Sequence, residues 1–212
     1  MGARFLDHEA RAAFKQAIEA IEDASSVEVV VAVRRRSAGY LHANLLVGAA
    51  VAFAALAVML FSDHAFGLVA ILFDPFIVGA LAAAAVELLP GVKRLLTLPS
   101  VRRKHVAHAA RATFVERGVH NTMDRSGMLV YISWLEQHIA LVADSGIENA
   151  FTREAIEAAE REVNAAMPNG GVAVARALES YKTRFGTVMP RRAEDLNELP
   201  DAIDEEPEAR PS

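Results

Sequence analysis

Cysteine is absent from the 212 residues, so no disulfide framework, thiolate nucleophile, cysteine-based zinc site or iron–sulfur cluster can be built. Charge is missing from one stretch in particular. No Asp, Glu, Lys or Arg lies between Arg36 and Asp63, and only Asp74 and Glu87 between Asp63 and Lys93. Aromatic residues make up only 7%, and Lys is outnumbered by Arg, 4 to 18, which with abundant Ala suggests a GC-rich bacterial genome. What is plentiful is apolar side chain: 53% of residues, with a positive mean hydropathy (+0.22) beside an ordinary charged fraction of 23%. These figures fit together when the apolar residues are concentrated in one place. A wholly soluble, wholly disordered or fibrous chain is excluded, and the length suits one modest domain plus a membrane part.

Net charge is −5. From Glu194 onward there are eight acidic residues and one basic, Arg210, which leaves residues 1–193 at +2. That is not basic enough to argue for nucleic acid as a partner. From about Arg191 the Pro- and acid-rich tail (191–212) lacks an apolar period and is predicted to be disordered.

Leu45 to Phe61 is an unbroken run of 17 apolar residues, and Phe66 to Leu89 is a second run. Each is long enough to cross a hydrocarbon layer, which predicts a transmembrane hairpin over residues 37–100 with spans at about 44–62 and 66–89. The remaining chain is too short to cover two such helices as a soluble core. The run begins too late, behind a charged segment, for a cleaved signal peptide. Arg34, Arg35 and Arg36 precede the first span; Lys93, Arg94, Arg102, Arg103 and Lys104 follow the second. The Ser62–Ala65 link carries no Lys or Arg. Eight basic residues against none predicts a bacterial inner-membrane protein with both termini cytoplasmic and the lipid bilayer as its first partner. Gly48/Ala52 and Gly79/Ala83 have the small-xxx-small spacing that lets helices pack closely. Two helices cannot enclose a conduction path, so transport would require a homo-oligomer. Asp74 has two readings: a carboxylate relay within the span, or, with Pro75, an N-cap that starts the second span late. The cap is the preferred reading, because no second buried acid or His faces Asp74. Glu87 is placed near the inner end, within reach of headgroups.

The polar remainder reads as an α/β layout. Asp7 caps a helix with Phe14, Ile18 and Ile21 on one face, and Val27 to Val33 is a β-branched run typical of a strand buried on both faces. After the spans, Leu95 to Pro99 leaves along the interface. Val101 to Arg117 follows as a helix with Val106, Ala110 and Phe114 on one face, stopped by Gly118. Gly127–Ser133 and Gln137–Ala143 form a strand hairpin around Leu135-Glu136. A helix striped by Ile156, Ala159, Val163 and Ala166 comes next, then a last helix from Gly171 to Phe185. The long crossover predicts that the second strand runs parallel to the first and the third antiparallel to the second.

The segment Gly127-Met-Leu-Val-Tyr-Ile-Ser-Trp-Leu-Glu-Gln-His-Ile-Ala-Leu-Val-Ala-Asp-Ser-Gly-Ile147 resembles the central hairpin of the TPM domain family, which opens with Gly before an apolar strand and closes with Gly-Ile or Gly-Leu. The strand Ser26–Val33 is similar to that family's first strand. The likeness covers about residues 8–36 and 101–187, and a bacterial membrane-bound subgroup carries a two-helix insertion at the same place. The resemblance implies a TPM-like α/β/α sandwich with a mixed sheet, formed by residues 1–36 plus 101–190 and interrupted by the transmembrane hairpin. It also implies weak acid phosphatase activity, divalent-cation (calcium) binding, or upkeep of membrane protein complexes. The sequence departs from the family at the acid two residues before the strand glycine, which is Arg125 here, and at the closing Gly-x-Gly, which is Asp144-Ser-Gly146. Asp124, Asp144 and Glu148 are the acids left near those loops and the candidate metal ligands; turn and cap roles are the preferred reading of them.

Other chemistry is thin. His105 and His108 stand one turn apart without the Glu of a metalloprotease motif or a third ligand. Pro168-Asn-Gly-Gly171 lacks the Lys-Ser/Thr of a phosphate loop, and Ser126, Ser133 and Ser145 have no nucleophile-elbow context. Trp134, at the hairpin tip, is either an exposed contact or a core plug, with the exposed role favoured. Two function classes follow: a non-catalytic interaction or assembly module with a membrane-protein partner, and a divalent-cation-dependent phosphatase with no assembled catalytic set.

Overall fold

The computed structural model describes residues 5–192, 199 and 203–205. The chain separates into two compact units, Met1–Ser37 with Arg103–Ser212, and Ala38–Arg102.

In the first unit, α1 (His8–Ala24) begins where the Asp7 side chain accepts from Ala10 N at 2.8 Å, and it buries Phe14, Ile18 and Ile21 as their spacing predicts. It leads to β1 (Glu28–Arg34). After α5 (Pro99–Glu116) come β2 (Gly127–Ser133) and β3 (His138–Ala143). β2 lies parallel to β1, Glu28 opposite Gly127 through Arg34 opposite Ser133, and antiparallel to β3, Met128 opposite Ala143. Both orientations agree with the sequence. Alternation sorts the strands onto two faces. Val29, Val31, Met128, Val130, Ile132 and Ile139 face one core. Val30, Ala32, Leu129, Tyr131 and Ala140 face the other, with Val106 and Ala110 of α5. Helices therefore cover both sheet faces, which makes an α/β/α arrangement.

The remaining helices depart from the expected boundaries. The segment after the hairpin is two helices, α6 (Ser145–Ala150) and α7 (Arg153–Ala166). Phe151 is extended between them, and the Thr152 hydroxyl caps α7 at Ala155 N. A 3-10 turn (Met167–Asn169) and Gly170, at φ 94°, lead to α8 (Gly171–Glu179) and α9 (Lys182–Val188). The single helix predicted to end at Gly186 is thus interrupted and runs past that residue. Ser180 Oγ bonds back to Ala177 O at 2.7 Å, a competitor for the helical backbone that breaks the run.

The expectation of a wholly disordered tail is corrected at the residues described. Asp204–Glu205 form β4, parallel to β1 with Ala32 opposite Asp204 and Val33 opposite Glu205, completing a sheet of order β3-β2-β1-β4. Two arginines on the sheet and α1 neutralise the pair: Asp204 is bound by Arg34 and Glu205 by Arg11. Residues 193–198, 200–202 and 206–212 lie outside the described residues.

The second unit holds α2 (Leu41–Phe61), α3 (Leu68–Val86) and α4 (Pro90–Leu96). At about 1.5 Å per residue, the 21 and 19 residues of α2 and α3 reach roughly 32 and 28 Å. Gly48 and Gly79 sit face to face: a Cβ on either would lie 2.8 or 2.7 Å from the other's carbonyl oxygen. The reading of Asp74 as a cap is corrected. α3 starts at Leu68 and runs through Pro75, so Asp74 is an exposed residue inside the helix. Pro75 forfeits one backbone bond. A helix begun only there would leave the Leu68–Phe73 backbone without its intrahelical bonds, which costs more.

Candidate functional site

The apolar hairpin is the first functional feature. α2 and α3 are each long and apolar enough to cross a membrane, and they keep their side chains outward. Phe53, Phe61 and Phe76 are 73%, 88% and 71% exposed. An exposed apolar surface of that extent marks a contact with a membrane, a protein or a ligand. One end of the hairpin is closed by a polar clasp that the sequence did not reveal. The Glu87 carboxylate accepts from Asn44 Nδ2 at 2.9 Å and pairs with buried Lys93 Nζ at 2.7 Å, while His42 and Thr97 meet at 3.2 Å. Glu87 therefore joins the start of α2, the end of α3 and α4.

The second feature is the loop pair at the open end of the β2–β3 hairpin. Gly127 and Gly146 let backbones touch there. A Cβ on Gly127 would stand 2.0 Å from Val119 O, and one on Gly146 would stand 2.3 Å from Asp124 O. Arg125 takes a left-handed φ of 53°, and its carbonyl accepts from Gly146 N at 3.0 Å. The three candidate acids lie around this turn in separate roles. Asp144 is buried and caps α6, its Oδ1 accepting from Ser145 N at 2.7 Å; its Oδ2 is buried without a hydrogen-bond donor, 3.8 Å from the Arg125 guanidinium. Asp124 pairs with Arg192 at 2.9 Å, and Glu148 is exposed on α6. A divalent ion needs several oxygens on one frame. Among the described residues no group of three or more His, Cys, Asp or Glu is placed to hold one. The cation that Asp144 Oδ2 faces is Arg125, so these residues as arranged do not fit a divalent ion.

No family model matches the chain, and no curated protein matches it. Among solved structures, the NMR structure of the BA42 protein from the psychrophilic bacterium Bizionia argentinensis is similar over 95% of this chain and 96% of its own, with a TM-score of 0.57 and 14% identity. That likeness is one of fold.

The other hairpin end carries its own polar cluster. Glu136, buried in the turn, accepts from Ser133 Oγ and from Ser37 N at 3.0 Å, and Ser37 Oγ donates to Tyr131 Oη at 3.4 Å. Trp134 N and Leu135 N donate to the carbonyls of Arg34 and Arg35. Trp134 is half-buried and packs against the core, so the favoured reading of it as an exposed contact is replaced by a packing role. The turn is stitched to the chain leaving β1, which withdraws its tip from solvent. His105 is half-buried and His108 exposed on α5.

The free edge of β3 is closed by α7. Ile139 N donates to Asn164 Oδ1 at 2.8 Å and Leu141 N to Glu160 Oε2 at 3.0 Å. Burial raises the Glu160 pKa above its usual 4.5, with the Leu141 amide pulling the other way. Burial, together with the Glu162 carboxylate that accepts its hydroxyl, pushes the Tyr181 phenol up to about 12.

Proposed function

We propose that this chain is a membrane-anchored, TPM-type α/β domain that works by binding, as an interaction or assembly module at the cytoplasmic face of a bacterial inner membrane. The observation that carries the reading is the hairpin: two helices of spanning length with exposed apolar side chains, flanked by eight basic residues and joined by a link with none. The Gly127–Ile147 hairpin and its likeness to the TPM domain support the domain assignment. The engagement of Asp124 by Arg192 and of Asp144 as a helix cap supports binding over turnover, because each acid already has a structural task. Arg102, Arg103 and Lys104 suit contact with anionic headgroups.

The absence of native cysteine makes topology directly testable. Single cysteines at Ala65 and Ser180, both exposed, are probed from outside intact cells with a membrane-impermeant maleimide. Ala65→Cys is expected to label and Ser180→Cys is not; the reverse pattern inverts the orientation. The phosphatase alternative is checked by phosphate-ester hydrolysis with and without divalent ions. Metal-stimulated turnover lost in Asp144→Asn would replace the binding reading.

A further inference from the structure

Among its described contacts with the folded domain, the acidic tail adds a short strand at Asp204–Glu205, and that contact has the form of a recognition site. Side chains of Ile203, Asp204 and Glu205 alternate across β4. Ile203 packs on the core beneath α1, and Glu205 on that same side meets Arg11 of α1. Asp204 points to the opposite face, where Arg34 binds its carboxylate and donates through Nη1 to its carbonyl at 2.8 Å, and Arg117 adds a bond of 2.6 Å. Leu199 packs on the α5 face. The Arg34 and Asp204 side chains are only 16% and 17% exposed, whereas Arg11 and Arg117 are about half exposed. One half-buried pair thus fixes the register, and two more exposed rim pairs add attraction that salt screens.

The occupied length is short. β4 covers two of the seven residues of β1, and the next stretch of that edge is closed from within, since Val29 N donates to Glu22 Oε1 at 3.1 Å. A slot around Ala32 and Val33 remains. It is walled by Arg11 of α1, Arg34 of β1 and Arg117 just after α5, and filled by residues 203–205, which ten residues join to Arg192.

We propose that the edge of β1 with Arg11, Arg34 and Arg117 is a strand-addition site for an extended peptide of a partner protein in which an apolar residue precedes two acids, and that residues 203–205 occupy it in cis. Strand addition to a sheet edge supplies backbone bonds while alternating pockets supply specificity, and the arginines match two carboxylates on opposite faces. The tether holds the tail at an effective concentration on the order of millimolar, so a partner segment gains access when the tail is weakened or outcompeted. This inference rests on the binding-module reading and names the chemistry of its partner.

The probe is a fluorescent peptide with the sequence of residues 199–208, added to the full chain in lipid nanodiscs. Asp204→Asn with Glu205→Gln in the protein weakens the resident tail, and that variant is expected to bind the peptide about ten-fold tighter than wild type. Binding should weaken with rising salt, vanish for a peptide carrying the same Asn and Gln changes, and fall when Arg117→Glu is added to the host. Arg117 is exposed, so this last change spares the fold, and melting curves verify that each variant is folded. Equal affinity for wild type and released variant, indifference to Arg117→Glu, or no binding by the folded variant overturns the proposal. Tail exchange between two copies, seen as concentration-dependent dimers in light scattering, overturns it in favour of a second copy as occupant. Each of these failures leaves the cysteine-labelling result standing, so the two readings are judged separately.

Discussion

Glu160 shows how one side chain can serve a fold and burden it. Its carboxylate closes the β3 edge at Leu141 N, and burial there raises its pKa. The folded protein therefore holds that proton more tightly than the unfolded chain does. The resulting stability is fully present below the unfolded value of about 4.5 and is lost as pH rises through the raised folded value. Glu160→Gln keeps an acceptor for the amide and removes the charge. It is expected to flatten the decline in stability that sets in as pH rises above about 4.5, without lowering stability at neutrality. Glu160→Ala leaves the amide unpaired at a half-exposed edge and should cost about 1 kcal/mol. Urea denaturation across that pH range distinguishes the two variants. Gly146 tests the opposite kind of residue, one defined by having no side chain. A Cβ there meets two backbone carbonyls, those of Asp124 and Arg125, neither of which can rotate away. Gly146→Ala is expected to destabilise by about 1–3 kcal/mol and to disturb the Asp144 cap next to it. Gly170→Ala is limited to its backbone strain, because nothing lies within 4 Å of a Cβ at that glycine.

At the scale of elements, the hairpin is held by its narrowest point. Gly48 and Gly79 let α2 and α3 approach until each carbonyl oxygen would stand within 2.8 Å of a Cβ on the other. Gly79→Leu should part the helices and lower the denaturation midpoint in detergent, at a cost of about 1–3 kcal/mol or more. Gly67→Leu meets nothing within 4 Å and should leave the midpoint near wild type. What was legible in the sequence and what was not divides along similar lines. Strands β1 to β3, α1 with its Asp7 cap, and the two apolar helices were readable because period, cap and β-branching act locally. The interruptions at Phe151 and Ser180 were not, because each depends on a hydroxyl choosing a backbone partner over solvent. Asp74-Pro75 misled because its local signature is that of a helix start, and the surroundings of α3 decide otherwise. β4 was hidden for a third reason. Ile203-Asp204-Glu205 has no apolar period of its own and becomes a strand only against arginines more than eighty residues away in sequence. The acids near the hairpin loops were correctly located there, but sequence could not tell that Arg125 and Arg192 would face two of them.

At the scale of the whole chain, the two units divide the sequence unevenly in kind as well as length. Among the described residues, neither apolar core of the α/β unit contains one from Ala38–Arg102: one core is built from α1, the strands and the helices that follow them, the other from the strands and α5, with Leu199 packed against it. Each core is therefore assembled, among the described residues, from the chain on either side of the insertion. What it does contribute is chain length between β1 and α5. A flexible linker replaces that role, because the cost of closing a loop grows only slowly with its length. The β1–β2 pairing that this loop spans is parallel and spans all seven residues, so the register is well defined once the ends are joined. Replacing residues 38–98 by a Gly/Ser linker keeps α5 whole and removes the exposed apolar surface of α2 and α3. The product is expected to be soluble without detergent and to melt in one cooperative transition. Circular dichroism should retain the helix and strand of the remaining chain. An aggregated or non-cooperative product across several linker lengths would mean that the domain depends on the inserted helices for its fold.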